Sequence, residues 1–230
     1  MSEYVLEAKN LTKIYEAGEN RVAALSDVNI QVERGEFVSI MGPSGSGKTT
    51  LLTMLGCFDK PTSGQVIIDG LDTTAMREAG LPKIRAEKVG FIFQAFNLIP
   101  TLTALENVEL PMERGKIPKG KRKGRALKLL ESVGLEDKAD RKPSRLSAGE
   151  QQRVAIARAL ANSPAIILAD EPTGNLDSRT GREIIQLLRK LRREEGSTII
   201  LVTHDKQLAS LSDRMLSLGD GKLLKKANNT

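Results

Sequence analysis

The sequence predicts an α/β fold in which helices cover a parallel sheet and a helical segment is inserted between sheet-forming parts of the chain. Towards the C-terminus, apolar strand-like segments alternate with helical ones: strand Ala165–Ala169, helix Ser178–Glu194, strand Thr198–Val202, a helix after Asp205 and strand Arg214–Leu218. Such alternation is typical of a parallel sheet with covering helices. From about residue 97 to about residue 145 the apolar residues instead follow helical spacing, which indicates the helical insertion.

The N-terminal part of the chain is predicted to consist mainly of strands. These are Tyr4–Lys9, Ala24–Val32, Phe37–Met41, Gln65–Ile68 and Val89–Phe93. A glycine-rich turn, Gly42–Gly47, joins the third of these strands to a predicted helix, Thr49–Gly56. Further along, Ser147 is a suitable N-cap for a helix that continues to Ala161.

The composition narrows the class of protein. Hydrophobic residues make up 40% and charged residues 28% of the 230 residues, as is ordinary for a globular protein. No apolar run approaches the ~18–20 residues of a membrane-spanning helix. Met1–Tyr4 lacks the basic segment and apolar stretch of a signal peptide. We therefore expect a cytoplasmic chain, with any membrane-spanning part supplied by another chain.

Charge and cysteine content exclude further possibilities. A net charge of +6 suits an anionic ligand but is too small to indicate a nucleic-acid partner, and there is no Trp to stack on bases. The single cysteine, Cys57, cannot form an internal disulfide and is expected to be a buried structural thiol.

A phosphate-binding motif lies between a predicted strand and a predicted helix. Residues Gly42–Thr49 fit the pattern G-x-x-x-x-G-K-[ST]. The glycines let successive backbone N–H groups point at phosphate oxygens, and the helix that follows adds its positive dipole end. Lys48 supplies a full positive charge, and the Thr49 hydroxyl is placed to bind Mg²⁺. This motif alone leaves kinases, GTPases and ATPases open.

Two carboxylates end an apolar strand. Asp170 and Glu171 follow Ala165–Ala169. Ligands of parallel sheets bind at the carboxyl ends of the strands. Asp170 is therefore predicted to face Mg²⁺, directly or through water, and Glu171 is predicted to be the general base that polarises the attacking water.

Five further features lie in an order that resembles one family. Leu146–Arg153 resembles the L-S-G-G-Q signature of ABC ATPases at a helix N-terminus, although Ala148 and Glu150 depart from it. Upstream, Tyr15 resembles the family's adenine-stacking aromatic residue, and Gln94 its Q-loop glutamine. Downstream, Asn175–Asp177 resembles its D-loop, and His204 its switch histidine. The chain is thus similar to an ABC transporter ATP-binding subunit along nearly its whole length.

The resemblance implies a fold and a set of domains. The family fold is a P-loop NTPase (RecA-like) parallel-sheet core with an N-terminal antiparallel β subdomain and an inserted helical subdomain. Residues 1–230 would form one ABC ATPase domain, with residues 1–95 and 146–230 as the nucleotide-binding core and residues 96–145 as the helical subdomain. The family's ATPases use ATP and Mg²⁺ and close as a head-to-tail homodimer.

The resemblance also implies a role for each matching residue. ATP would be held by Tyr15, Gly42, Ser44, Gly45, Ser46, Gly47, Lys48, Thr49 and Thr50. Mg²⁺ would be held by Thr49, Gln94 and Asp170, and catalysis would involve Glu171, His204 and Gln94. Ser147 and Gly149 would serve the ATP held by the partner copy, with Asp177 joining the two sites, while the Glu150 side chain should turn away from the phosphates.

Residues Gly90–Pro100 and Leu105–Val108 resemble the macrolide-export and lipoprotein-release branch of the family. Members of that branch pair with a separate or fused transmembrane permease. For this chain we expect a separate permease and a peripheral location on the inner face of the cell membrane. A cell-division type, which signals through a permease-like partner without transport, is left open. The loop at Gln94–Pro100 is the expected permease contact. The basic stretch Arg114–Arg125 is interpreted as solvated surface, with lipid headgroups or acidic permease loops as the alternative.

Overall fold

A computed structural model describes residues 3–17 and 20–224, so the first two residues of Met1–Tyr4 lie outside it. Within the described residues, six strands form the central sheet in the order β10-β9-β3-β8-β7-β6. Their bounds are β3 Phe37–Met41, β6 Val89–Ile92, β7 Ile166–Asp170, β8 Ile199–Thr203, β9 Arg214–Gly219 and β10 Lys222–Leu224. All pairings are parallel except that of β10 with β9.

The middle strands of this sheet are apolar along almost their whole length. Phe37–Ile40, Ile166–Ala169 and Ile199–Thr203 are buried. Strands of a parallel sheet covered on both faces have such continuous runs, because water reaches neither face. The α/β prediction is therefore confirmed, and β3 has the predicted bounds.

A second sheet is antiparallel. In the described part of the chain it contains β1 Tyr4–Ala17, β2 Asn20–Glu33, β4 Ser63–Ile68 and β5 Leu71–Asp72, in the order β2-β1-β4-β5. This sheet confirms the N-terminal β subdomain that the resemblance implied. Strand β1 is longer than the predicted Tyr4–Lys9, because it continues past a register shift between Ala8 and Leu11. Asn10, with φ 51°, absorbs the irregularity.

The helices are α1 Lys48–Leu55, α2 Leu81–Lys88, α3 Ala104–Glu109, α4 Lys119–Ser132, α5 Ala148–Ala159, α6 Ser178–Glu195 and α7 Lys206–Ala209. Helices α3 and α4 lie in the predicted insertion and pack against α5 through Val108, Leu130 and Val154, which are fully buried. The sequence analysis missed α2, whose only buried residue is Leu81.

Two smaller expectations concern the membrane and the thiol. Within residues 3–17 and 20–224, no helix is both long and apolar enough to cross a bilayer. Cys57 is buried and free, as expected, and burial raises the pKa of its thiol.

Candidate active site

The glycine-rich turn between β3 and α1 is shaped by two close approaches. A Cβ on Gly42 would lie 2.2 Å from the Leu218 carbonyl oxygen, and one on Gly47 would lie 2.4 Å from the Ala24 carbonyl oxygen. Gly47 also has φ 98°, a value that L side chains rarely adopt. Only glycine fits at these two positions, and the loop curls as the phosphate-binding motif requires.

Lys48 is buried within this loop. Its Nζ donates to the carbonyl oxygens of Gly42 and Pro43 at 2.9 and 2.8 Å. Gly45, Thr49 and Thr50 line the same cleft as Lys48, while the Ser46 side chain is buried and Ser44 is exposed. The loop therefore concentrates a full positive charge beside the first N–H groups of α1.

Tyr15 lies at the edge of this region. It pairs with Val22 across β1 and β2, and Val22 lines the cleft together with the phosphate loop. The Tyr15 side chain is exposed, and Lys13 Nζ lies 5.0 Å from its ring centroid. An exposed ring one strand away from the cleft is suited to stacking on a planar base.

Asp170 is a candidate ligand for a cation. Burial, followed by the adjacent charge of Glu171, raises the pKa of the Asp170 carboxyl, while Lys48 and the Thr49 hydroxyl act in the opposite direction. The Asp170 carboxyl is hydrogen-bonded to the Thr49 hydroxyl, and both groups offer the oxygen ligands that suit Mg²⁺. The positive charge of Mg²⁺ would offset the free-energy cost of ionising this carboxyl, so the pair fits a magnesium site.

This raised pKa leads to a stability prediction. An unfolded aspartate has a pKa of about 3.9. Because the pKa is higher in the folded chain, ionised Asp170 destabilises it, and that cost disappears as the pH falls through the folded-state pKa. Asp170→Asn should therefore raise the melting temperature of the nucleotide-free chain at pH 7 while abolishing Mg²⁺-dependent hydrolysis. The gain in melting temperature should shrink on acidification.

Asp69 provides the control of opposite sign. Lys88 and Arg34 lower the pKa of its carboxyl, so Asp69→Asn should lower the melting temperature at pH 7. Thermal unfolding followed by circular dichroism measures both variants. A lower melting temperature for Asp170→Asn would contradict the inferred cost of the buried charge.

Glu171 and His204 meet at the carboxyl end of the sheet. His204 Nδ1 lies 3.2 Å from Glu171 Oε2, and the histidine ring is largely exposed. Glu171 has φ 43°, and its N–H donates to the Val202 carbonyl oxygen at 3.0 Å. The carboxylate thus leaves the strand in an unusual backbone conformation, of the kind that is often found at functional sites.

Gln94 lies against the predicted D-loop. A Cβ on Gly174 would come within 2.5 Å of Gln94 Nε2, and Asn175 Nδ2 donates to the Gln94 carbonyl oxygen at 3.0 Å. Gly174 thus packs closely against Gln94, but because Nε2 is the free end of a flexible side chain, this contact does not by itself require glycine.

Gln152 was missed by the sequence analysis. Its side chain is fully buried in α5, and Nε2 donates to the Pro172 carbonyl oxygen at 2.8 Å and the Phe93 carbonyl oxygen at 3.4 Å. Both partners adjoin predicted site residues. Nothing in the local sequence around Gln152 indicates a contact with residues 20 and 59 positions away.

Ser147 is the N-cap of α5. Its hydroxyl accepts from the Glu150 N–H at 3.3 Å, and Glu150 Oε2 accepts from the Ser147 N–H at 2.8 Å, forming a capping box. Glu150 also pairs with Lys138, which lowers the pKa of the Glu150 carboxyl. The Glu150 side chain is thus engaged within its own chain, as expected for an anion that must not face phosphates.

The signature and the D-loop share a groove. Gly149 approaches Thr180 so closely that a Cβ would lie 2.6 Å from its Cγ2. Asp177 caps α6 by accepting from the Arg179 and Thr180 N–H groups, both at 3.0 Å, and Thr180 lowers the pKa of its carboxyl. Ser147, Gly149 and Asp177 line this groove, whereas Lys48 and Thr49 line a different cleft of the same chain.

Comparison with known proteins shows the family. The ABC transporter family profile matches residues 25–174. An uncharacterised ABC transporter ATP-binding protein of Methanocaldococcus jannaschii, MJ0796, is 55% identical over 223 residues, which are 95% of each chain. A counterpart from Thermotoga maritima is 52% identical over 219 residues, covering 95% of this chain and 93% of that protein.

The macrolide export ATP-binding/permease protein of Salmonella typhimurium is 48% identical over 220 residues. They are 96% of this chain but only about a third (34%) of the exporter's length. The solved dimeric structure of the MJ0796 cassette in a post-hydrolysis state, bound to ADP and Pi, matches with a TM-score of 0.86 at 54% identity. That match covers 96% of this chain and 97% of the solved one.

This chain therefore belongs to the ABC transporter family, as the order of its motifs predicted. It is an ATP-binding and ATP-hydrolysing subunit of the ABC type that uses ATP with Mg²⁺. The sequence predictions of family, fold class and ATPase activity are confirmed. The roles of the individual site residues remain predictions.

Proposed function

We propose that this chain is the motor of a membrane complex. Two copies bind ATP, close head to tail around two nucleotides, and drive a separate permease in export or lipoprotein release. The observation that carries the proposal is that the two predicted parts of the ATP site line different grooves of one chain. Lys48 and Thr49 lie in one groove, and Ser147 and Gly149 lie in the other. In a twofold dimer each phosphate loop can face the partner's signature helix, which gives two equivalent sites.

Relatives support this assembly. The solved MJ0796 cassette is described as dimeric and bound to ADP and Pi, and the macrolide exporters are described as ATP-binding/permease proteins. In them the segment that corresponds to this chain is about a third of a longer protein. In the proposed complex the permease is a second polypeptide, and the ATPase acts at the cytoplasmic face of the membrane.

In the proposed mechanism, Lys48 and the loop N–H groups bind the phosphates, and Tyr15 stacks on the adenine. Thr49, Asp170 and Gln94 would hold Mg²⁺. The metal, when bound, neutralises charge that develops on the transferred phosphoryl group. The ammonium of Lys48 exchanges its two carbonyl partners for phosphate oxygens when ATP enters.

Glu171 accepts a proton from the attacking water, and Gln94 orients that water. His204, whose exposed ring lies 3.2 Å from the Glu171 carboxylate, contacts the γ-phosphate and keeps the carboxylate oriented in this mechanism. Ser147 and Gly149, at the N-terminus of α5, donate from the partner copy, because the first N–H groups of a helix have no acceptor within it.

The loop at Gln94–Pro100 is the proposed permease contact. Ile99 is exposed there, while Arg158 binds the Phe96 and Asn97 carbonyl oxygens and Asn107 binds both backbone groups of Ile99. These contacts connect the loop to α3 and α5. We propose that residues 96–145 move as a helical subdomain and transmit the state of Gln94 to the permease.

Ser147→Arg tests the cross-subunit role. The bulky cation should prevent the signature from closing over the partner's nucleotide, so ATPase activity should fall by at least about 100-fold, on the scale of losing one transition-state donor. Nucleotide binding by the single chain should stay within about twofold, because Lys48 and Thr49 lie in the other groove. Steady-state hydrolysis and calorimetric titration of ATP measure the two quantities.

The control is Thr103→Arg. Thr103 forms the same kind of capping box at the start of α3, with Glu106, so its replacement costs a comparable ~1 kcal/mol of helix capping. Its ATPase activity should remain close to that of the unaltered chain. Full ATPase activity in Ser147→Arg would refute the head-to-tail site.

A further inference from the structure

Gln152 joins two segments that bracket the reaction centre. Its Nε2 donates to the Phe93 and Pro172 carbonyl oxygens, at 3.4 and 2.8 Å. Phe93 directly precedes Gln94, and Pro172 directly follows Glu171. One buried amide thus binds the backbone beside the residue that orients the water and the backbone beside the proposed base.

The same two segments are also joined to each other. Asn175 Nδ2 donates to the Gln94 carbonyl oxygen at 3.0 Å. Asn175 directly follows the turn in which the Gly174 N–H donates to the Glu171 carbonyl oxygen at 2.9 Å. Gln152 attaches this linked pair to α5, whose N-terminus carries Ser147. Water cannot replace the amide easily, because the Gln152 side chain is fully buried.

We propose that Gln152 is a positioning residue for ATP hydrolysis: it fixes the separation of Gln94 and Glu171 and holds both in register with the signature helix. The inference rests on the proposed function, since it assumes that these two residues flank the attacking water. Loss of the amide leaves the buried Pro172 carbonyl oxygen and the partly buried Phe93 carbonyl oxygen without their donor, and both backbone segments must shift to find another. A displacement of about 1 Å near reacting groups can cost on the order of 100-fold in rate.

A merely structural role is the alternative, and Asn162 is the matched control. Asn162 follows α5, and its Nδ2 also donates to two backbone carbonyl oxygens, those of Ala86 at 2.8 Å and Pro111 at 2.9 Å. Neither carbonyl adjoins a predicted site residue. Each amide therefore donates to two backbone carbonyl oxygens, and only the partners of Gln152 adjoin predicted site residues.

The experiment compares Gln152→Met with Asn162→Leu in the full chain. Methionine has the length of glutamine without its donors, so kcat should fall about 10- to 100-fold while KM for ATP stays within about twofold, because the phosphate loop is untouched. Both variants should lower the melting temperature by similar amounts, because each loses two hydrogen bonds to backbone carbonyl oxygens. Asn162→Leu should nevertheless leave kcat within about twofold. Wild-type kcat in a folded Gln152→Met chain would overturn the proposal.

Gln152→Glu provides a second readout if the methionine variant does not fold. A protonated carboxyl can still donate to the Pro172 carbonyl oxygen, whereas a carboxylate is repelled by both carbonyls, and burial favours the protonated form. The activity of this variant relative to wild type should therefore rise as the pH falls. A ratio independent of pH would overturn the proposal. A wild-type chain without ATPase activity would overturn the proposed function itself, and the inference with it.

Discussion

Glu171→Gln should abolish turnover while leaving ATP bound. The amide cannot accept a proton from the attacking water, and a positioned general base contributes about 10²- to 10⁴-fold in rate. The substitution keeps the shape of the side chain. In the unaltered chain His204 Nδ1 lies 3.2 Å from Glu171 Oε2, and the amide oxygen of glutamine can still accept a hydrogen bond from that ring. With ATP and Mg²⁺, the variant should accumulate as a stable dimer, because hydrolysis is the step that would open it.

Sizing chromatography with and without ATP, together with steady-state hydrolysis, measures this outcome. Glu194→Gln is the control, because Glu194 is an exposed residue whose ion pair with Lys190 lies on the surface of α6. Its turnover and its elution should match those of the wild type. A Glu171→Gln chain that binds ATP yet stays monomeric would argue against closure of two copies around the nucleotide.

The sheet could be predicted from the sequence because burial on both faces favours nearly continuous apolar runs. Phe37–Met41, apolar except for Ser39, was predicted to the residue, and β7 and β8 were each displaced by one residue. Helix α2 was missed for the converse reason. It has Pro82 in its first turn and buries only Leu81, so no apolar periodicity marks it.

In the proposed site, too, residues in local motifs could be predicted from the sequence, and residues that act through distant contacts could not. Residues such as Lys48 and Asp170 lie in short motifs whose chemistry is local to a loop or a strand end, and the structure brings both to the carboxyl edge of the sheet. Gln152 and Asn175 act through contacts with residues 59 and 81 positions away. A local pattern carries no information about such contacts, so only the folded chain reveals them.

Glycines at the site show a related limit. The sequence motif required Gly42 and Gly47, and their close approaches to backbone carbonyls give the reason. The close packing of Gly174 against Gln94 was not predicted from the sequence. Gln94 Nε2 lies 2.5 Å from where a Gly174 Cβ would be, and this contact arises from tertiary packing.

Lys48→Ala should remove most of the affinity for ATP. Truncating one member of a buried, hydrogen-bonded charge pair costs about 2–5 kcal/mol, which corresponds to a loss of roughly 30-fold or more in affinity. The variant also leaves the Gly42 and Pro43 carbonyl oxygens without their lysine donor, so the nucleotide-free chain should melt at a lower temperature.

Lys60→Ala separates the loss of affinity from the loss of stability, because Lys60 likewise donates to two carbonyl oxygens, those of Thr74 and Met76, in another part of the fold. Calorimetric titration should show near-normal ATP affinity for Lys60→Ala and a large loss for Lys48→Ala. Equal affinities in the two variants would mean that the ammonium of Lys48 supports the loop without binding phosphate.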